Sequence, residues 1–222
     1  MSEENPYPFW SGREIEMINV VEVFRQKPAI MKKAEDYLNQ LKQALIEETA
    51  HSQKLFPPET DLTKGQLVRG ENHKGFPFLS LDMPKKFSRS EMFTYRTLFW
   101  WGHYLVFAFI LKGEKLPQYL NRLLAGKHGP AAGAIQFACH KTPWEWEWTS
   151  DNFKNVAQTP DEEIRQSIDS IQYLKLCRFF PVSDPSFTSL DWTAAGLTAY
   201  REMTELFLMP GPTEKVKPSD AG

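Results

Sequence analysis

At 222 residues, with no long Gly, Ser or Pro linker between two apolar halves, the chain reads as one domain rather than two. Its 41% hydrophobic and 24% charged residues match the globular average, and a net charge of -2 with scattered Lys and Arg offers no basic patch to displace counterions from phosphates, so no nucleic-acid partner is expected. The longest apolar stretch, Thr97 to Leu111, falls short of the roughly 20 residues that span a bilayer as a helix, so no membrane partner is expected either.

The opening MSEENPYPFW carries acidic residues and prolines where a secretory signal would be basic and then apolar. With two cysteines, Cys139 and Cys177, and no CxxC, this favours reduced thiols and a cytoplasmic location. Residues 1–12 read as an N-terminal tether, 13–209 as the globular domain and 210–222 as a polar tail. Tyr7, Phe9 and Trp10 are too apolar for full solvation and are expected to dock on the domain.

Ile15 to Phe24 mixes branched and acidic residues without a decisive period and is taken as helical. Pro28 suits a first helical position, and Ile30, Met31, Ala34, Leu38, Leu41 and Leu45 recur at spacings of mostly three and four, which predicts an amphipathic helix over about 28–52. Pro57 and Pro58 end it. Strands follow at about 66–69 and 76–82, the second placed at a sheet edge because Pro77 has no N–H for a ladder.

The segment FTYRTLFWWGHYLVFAFILKG is predicted as two strands, about 93–101 and 103–112, with Gly102 at a tight hairpin or a bulge. The second is apolar on both faces, Leu105, Phe107, Phe109 and Leu111 on one and Tyr104, Val106, Ala108 and Ile110 on the other. Such a strand must be covered on two sides.

A helix over about 116–125 precedes the small-residue loop GKHGPAAG. A strand is predicted over 135–148, where Trp144, Trp146 and Trp148 alternate with Glu145 and Glu147. Thr159, Pro160 and the acidic run Asp161 to Glu163 start a helix running to about Cys177, and a last helix covers about 191–208. The fold class is therefore α+β: a mostly antiparallel sheet with an N-terminal helix and two C-terminal helices packed on it.

Three constellations bear on function. The Trp stripe offers Trp144 and Trp146 for stacking on a ligand, or one wall of the core with the glutamates facing water. Arg96 and His103 flank the apolar run; in a hairpin they would converge with Asp82 or Tyr95 as an anion clamp with an adjacent acid-base group, or each would finish the fold locally. The loop Glu71 to Gly75 is a polar surface turn.

His140 and Lys141 complete the candidate ligand-binding set of Arg96, His103, His140, Lys141, Trp144 and Trp146. No HExxH, CxxC or His-x-His pattern exists, and the Gly126 to Gly133 loop lacks the phosphate-loop order, so neither metal nor cofactor is expected. The leading expectation is a small-molecule or peptide-binding or interaction module with an aromatic-lined cleft. Its alternatives are a metal-independent enzyme using a His acid-base and Arg96 as anion holder, and a homo-oligomer joined through the Trp stripe or the N-terminal aromatics.

Overall fold

The computed structural model of the chain describes residues 9–50 and 52–208; Tyr7 and the tail from 210 lie outside them. Among the described residues no helix is long and apolar enough to cross a membrane.

Two helices open the chain, α1 (Gly12–Ile18) and α2 (Val21–Ala50). Ser11 and Glu14 form a reciprocal capping box at the start of α1. The long helix begins seven residues before Pro28, which is therefore interior rather than a first-turn residue. Its ring removes the N–H that Phe24 C=O would accept, and this segment is exposed, so water can take the orphaned carbonyl. Four long strands follow, β1 (Gln66–His73), β2 (Phe76–Phe87), β3 (Met92–Trp100) and β4 (Tyr104–Lys112). Next come α3 (Leu116–Gly126), β5 (Gln136–Ala138), β6 (Phe153–Asn155), α4 (Asp161–Ile171), β7 (Leu174–Pro181) and α5 (Trp192–Phe207).

The strands form one antiparallel sheet in the order β1-β2-β3-β4-β7-β5-β6, so the fold is α+β. Strand β4 lies between β3 and β7, buried on both faces as its composition demanded. Gly102, at φ +76°, turns the β3–β4 hairpin, in which Trp100 pairs with Tyr104. On one face Leu79, Leu81, Tyr95, Phe107 and Phe109 pack under α2 and α5, whose Leu38, Leu41, Leu45, Tyr200, Met203 and Phe207 are buried in the same core. The other face buries Leu98, Trp100, Tyr104, Val106, Ala108, Ile110 and Cys177 beneath Trp146.

Four expectations need correction. Strand β2 is internal, not an edge; Pro77 is tolerated because its neighbour β1 changes register between Gly70 and His73, opposite the proline. The strand predicted over 135–148 ends at Ala138, and the Trp run is an irregular crossing over the sheet. Pro143 brings no ladder donor, and the carboxylate of Glu145 accepts from the amides of Trp146 and Glu147, both at 2.8 Å, turning the backbone onto its own side chain. The helix predicted to Cys177 stops at Ile171, where Gln172 adopts φ +60° and donates its N–H to Ile168 C=O, and the chain re-enters the sheet as β7. Phe9 and Trp10 are 93% and 71% exposed rather than docked.

Candidate functional site

The six residues singled out from sequence fall into two separate places. Arg96 points to the sheet face away from the helices and is engaged by Asp82 on β2. Its Nε and Nη2 donate to the two carboxylate oxygens at 2.8 and 2.6 Å, and Thr94 Oγ1 donates to the same carboxylate at 2.9 Å. The guanidinium lies under the exposed indole of Trp144, 4.6 Å from its centroid. With its fork filled by Asp82 and its face by Trp144, Arg96 serves the fold before it serves any anion. Tyr95, one residue away, faces the opposite side and donates to Gly196 C=O at 2.6 Å.

Trp146 is buried and seated on Lys175, a residue that no motif or spacing marked. Lys175 is fully buried on β7, with Nζ 3.2 Å from the Trp146 centroid and donating to the carbonyls of Pro143 at 3.0 Å and Glu145 at 2.6 Å. Burial pulls its pKa down to about 8. Cys177 lies two residues on, and burial pushes its thiol up to about 12. Lys74 bridges Glu145 at 2.8 Å and Glu147 at 3.1 Å, so the glutamates of the Trp run share one cation. Burial opposes ionisation of Glu145, yet Lys74 and the amides of Glu147 and Trp146 hold its carboxyl below the usual range.

His103 is remote from Arg96, about 13 Å along β3 at the strand rise per residue. It stacks on Trp100 at 3.8 Å and meets Phe76 edge-on, and its Nε2 is buried without a hydrogen-bond partner among the described residues, as is that of His73. Burial, with the charge of Lys74, lowers the His73 pKa. His140 accepts from Thr142 N–H at 3.2 Å through Nδ1, its carbonyl accepts from the Tyr173 hydroxyl, and Lys141 is exposed. The described residues hold no cluster of three His, Cys, Asp or Glu suited to a metal.

An aromatic-lined cleft does exist, on the opposite face and from other residues. Ile30, Lys33, Ala34 and Tyr37 of α2, Phe99 of β3, Phe187, Thr188 and Leu190 of the turn before α5, and Trp192 at its first position enclose a groove of about 220 Å³. Trp192 is its floor, 5.3 Å from both Tyr37 and Phe99 and 6.1 Å from Phe187. The rim is fixed by two caps: Asp184 accepts from Ser186 N–H at 2.9 Å, and Asp191 accepts from the amides of Thr193 and Ala194 at 2.9 and 3.0 Å. Lys33 Nζ lies 5.7 Å from the Tyr37 ring and is the cation at the mouth. Two roomier concavities are less suited to an apolar ligand: one is spanned by the Arg201–Glu48 ion pair, and the other is lined by Glu114, Asn121, Arg165 and Asp169. Nothing in sequence marked the groove, because three segments about 60 to 90 residues apart build it.

Comparison with known proteins adds no further guide: no family model, curated protein or solved structure matches the chain.

Proposed function

We propose that the chain is an interaction module whose aromatic groove receives an apolar, aromatic-bearing peptide segment supplied by a protein partner. The observation that carries this reading is the groove itself, with four aromatic rings and three aliphatic side chains converging on about 220 Å³ beside a solvent-facing stretch of helix. A pocket of mostly apolar lining with few polar groups is what a side-chain anchor needs, and about 150 Å³ already accommodates a benzene ring. Lys33 at the mouth favours a carboxylate or a helix C-terminus on the incoming segment. A cytoplasmic location is part of the proposal and rests on Cys139 and Cys177 being free thiols, the latter fully buried.

The test is selection of random peptides on the immobilised full chain carrying Trp10→Ala, which leaves every groove residue in place. Enriched sequences should carry Trp or Phe at helical spacing, and their binding should move the indole N–H resonance of Trp192, assigned with Trp192→Phe. Enriched peptides that leave that resonance in place, or no enrichment at all, would overturn the reading.

A further inference from the structure

The core stripe of α2 does not stop where the domain stops. Met31, Ala34, Leu38, Leu41 and Leu45 are buried against the sheet and α5, and the same face of α2 carries Phe24, 70% exposed, while beyond the break at Asn19 and Val20 the separate helix α1 exposes Met17 at 64%. From Phe9 to Gln26 every described residue is exposed. Ten large apolar side chains between Phe9 and Ile30 face solvent. Taking each as half of a roughly 150 Å² side chain, the arm presents on the order of 800 Å², well above the few hundred usual for a monomer's patch and about what each partner contributes to a stable interface.

The charges of the arm narrow the occupant. Arg13, Arg25 and Lys27 balance Glu14, Glu16 and Glu22, so the arm is neutral and lacks the basic face that draws a helix to an anionic bilayer. The charges also lean in order: Arg13, Glu14 and Glu16 give the tip a net -1, and Glu22, Arg25 and Lys27 give the root a net +1. Neither Glu16 nor Arg25 makes an ion pair among the described residues. That order repels in a parallel pairing of two arms and attracts in an antiparallel one.

Resting on the interaction reading above, we infer that the partner is a second copy of this chain, the two arms pairing antiparallel about a twofold axis at Val20–Val21. Met17 of one copy then meets Phe24 of the other and Glu16 meets Arg25, while Lys27 stays on Glu71 of its own chain and Glu14 on the Ser11 cap. The same register carries Trp10 to the level of the second copy's Met31, beside Ile30 at the mouth of the aromatic groove, which is roomy enough for an indole. The arm of each copy thus closes over the groove of the other, and the contact is isologous.

Sedimentation equilibrium of the full chain tests this. The expected mass is twice 25.7 kDa at micromolar concentration. Phe24→Asp should weaken the dimer by about 100-fold or more, and Trp10→Ala by about 10-fold, with unchanged far-ultraviolet circular dichroism because Phe24 and Trp10 are 70% and 71% exposed. Glu16→Arg and Arg25→Glu should each weaken it by roughly 10-fold, and the double variant should return to within about threefold of wild type. A dimer indifferent to Phe24→Asp, or charge variants that fail to rescue one another, overturns the inference. A wild-type chain that stays monomeric overturns it too; if that monomer still selects peptides that shift Trp192, the groove reading survives and the partner is another protein.

Discussion

The ammonium of Lys175 lies 3.2 Å from the centre of the Trp146 ring, with two backbone carbonyls as hydrogen-bond partners and, among the described residues, no side-chain carboxylate bonded to it. This contact pins the irregular Trp run to the sheet, and it makes stability depend on pH. The folded-state pKa of about 8 is below the usual lysine value of 10.5, so between these values the unfolded chain binds more protons and stability rises with pH. The contribution is fullest above 10.5 and is lost as pH falls through about 8. Lys175→Met removes that titration. The wild-type stability relative to the variant should therefore improve by up to about 3 kcal/mol between those limits, read from urea unfolding at successive pH values. A difference that stays flat across the window would contradict it.

Asp82 is the common acceptor for Arg96 and Thr94 and is 1% exposed. Asp82→Asn leaves a largely buried guanidinium without its counter-charge and should cost roughly 3–5 kcal/mol in denaturant unfolding. Replacing Arg96 and Asp82 together, as Arg96→Met with Asp82→Asn, should cost less than the two single losses added, because neither charge is then stranded.

Helix α5 crosses α2 at a glycine. A Cβ on Gly196 would sit 2.7 Å from Leu41 Cδ1 and 3.0 Å from Phe107 Cε1. Alanine at this position should gain up to about 1 kcal/mol in helix propensity and lose more to overpacking, for a net loss of about 1–3 kcal/mol. Thermal unfolding of Gly196→Ala measures the sign directly.

The parts of the fold that sequence revealed are those where a side-chain period and a ladder coincide. The two faces of β4 were legible because eight consecutive buried positions allow only a central strand, and α5 was legible from its apolar spacing. The Trp run has the period of a strand without being one, since its indoles are drawn to one side by Lys175, Arg96 and the ring of Phe179, on which Trp148 stacks at 4.7 Å. Ile164, Ile168, Ile171 and Leu174 keep helical spacing across the end of α4, and a glutamine in the left-handed region gives no such warning as glycine would. Lys175 falls in the last turn of the helix predicted to Cys177, and only its strand pairing with Ile110 shows that it shares the buried second face. The groove depends on Tyr37, Phe99, Phe187 and Trp192 meeting across the chain, which no local pattern records.

The arm offers a further check on the role of the groove. A seven-residue helix such as α1 is marginal in water without a packed face, so its amides should exchange rapidly when the chain is dilute. Hydrogen exchange at about 1 µM and about 100 µM should show protection of residues 12–27 growing with concentration as the arms find their grooves. Equal, rapid exchange at both would mean that the arm meets no second copy in this range.

The most direct measurement places arm and groove together. A peptide of residues 9–30 is titrated into full-length Phe24→Asp, whose own arm is disabled while its groove is intact, and the Trp192 indole resonance is followed. The expected result is a saturable shift of Trp192, complete by about 1 mM peptide and abolished when the peptide carries Trp10→Ala. A Trp192 resonance that does not move through that range would contradict the assignment of the groove as the seat of the arm.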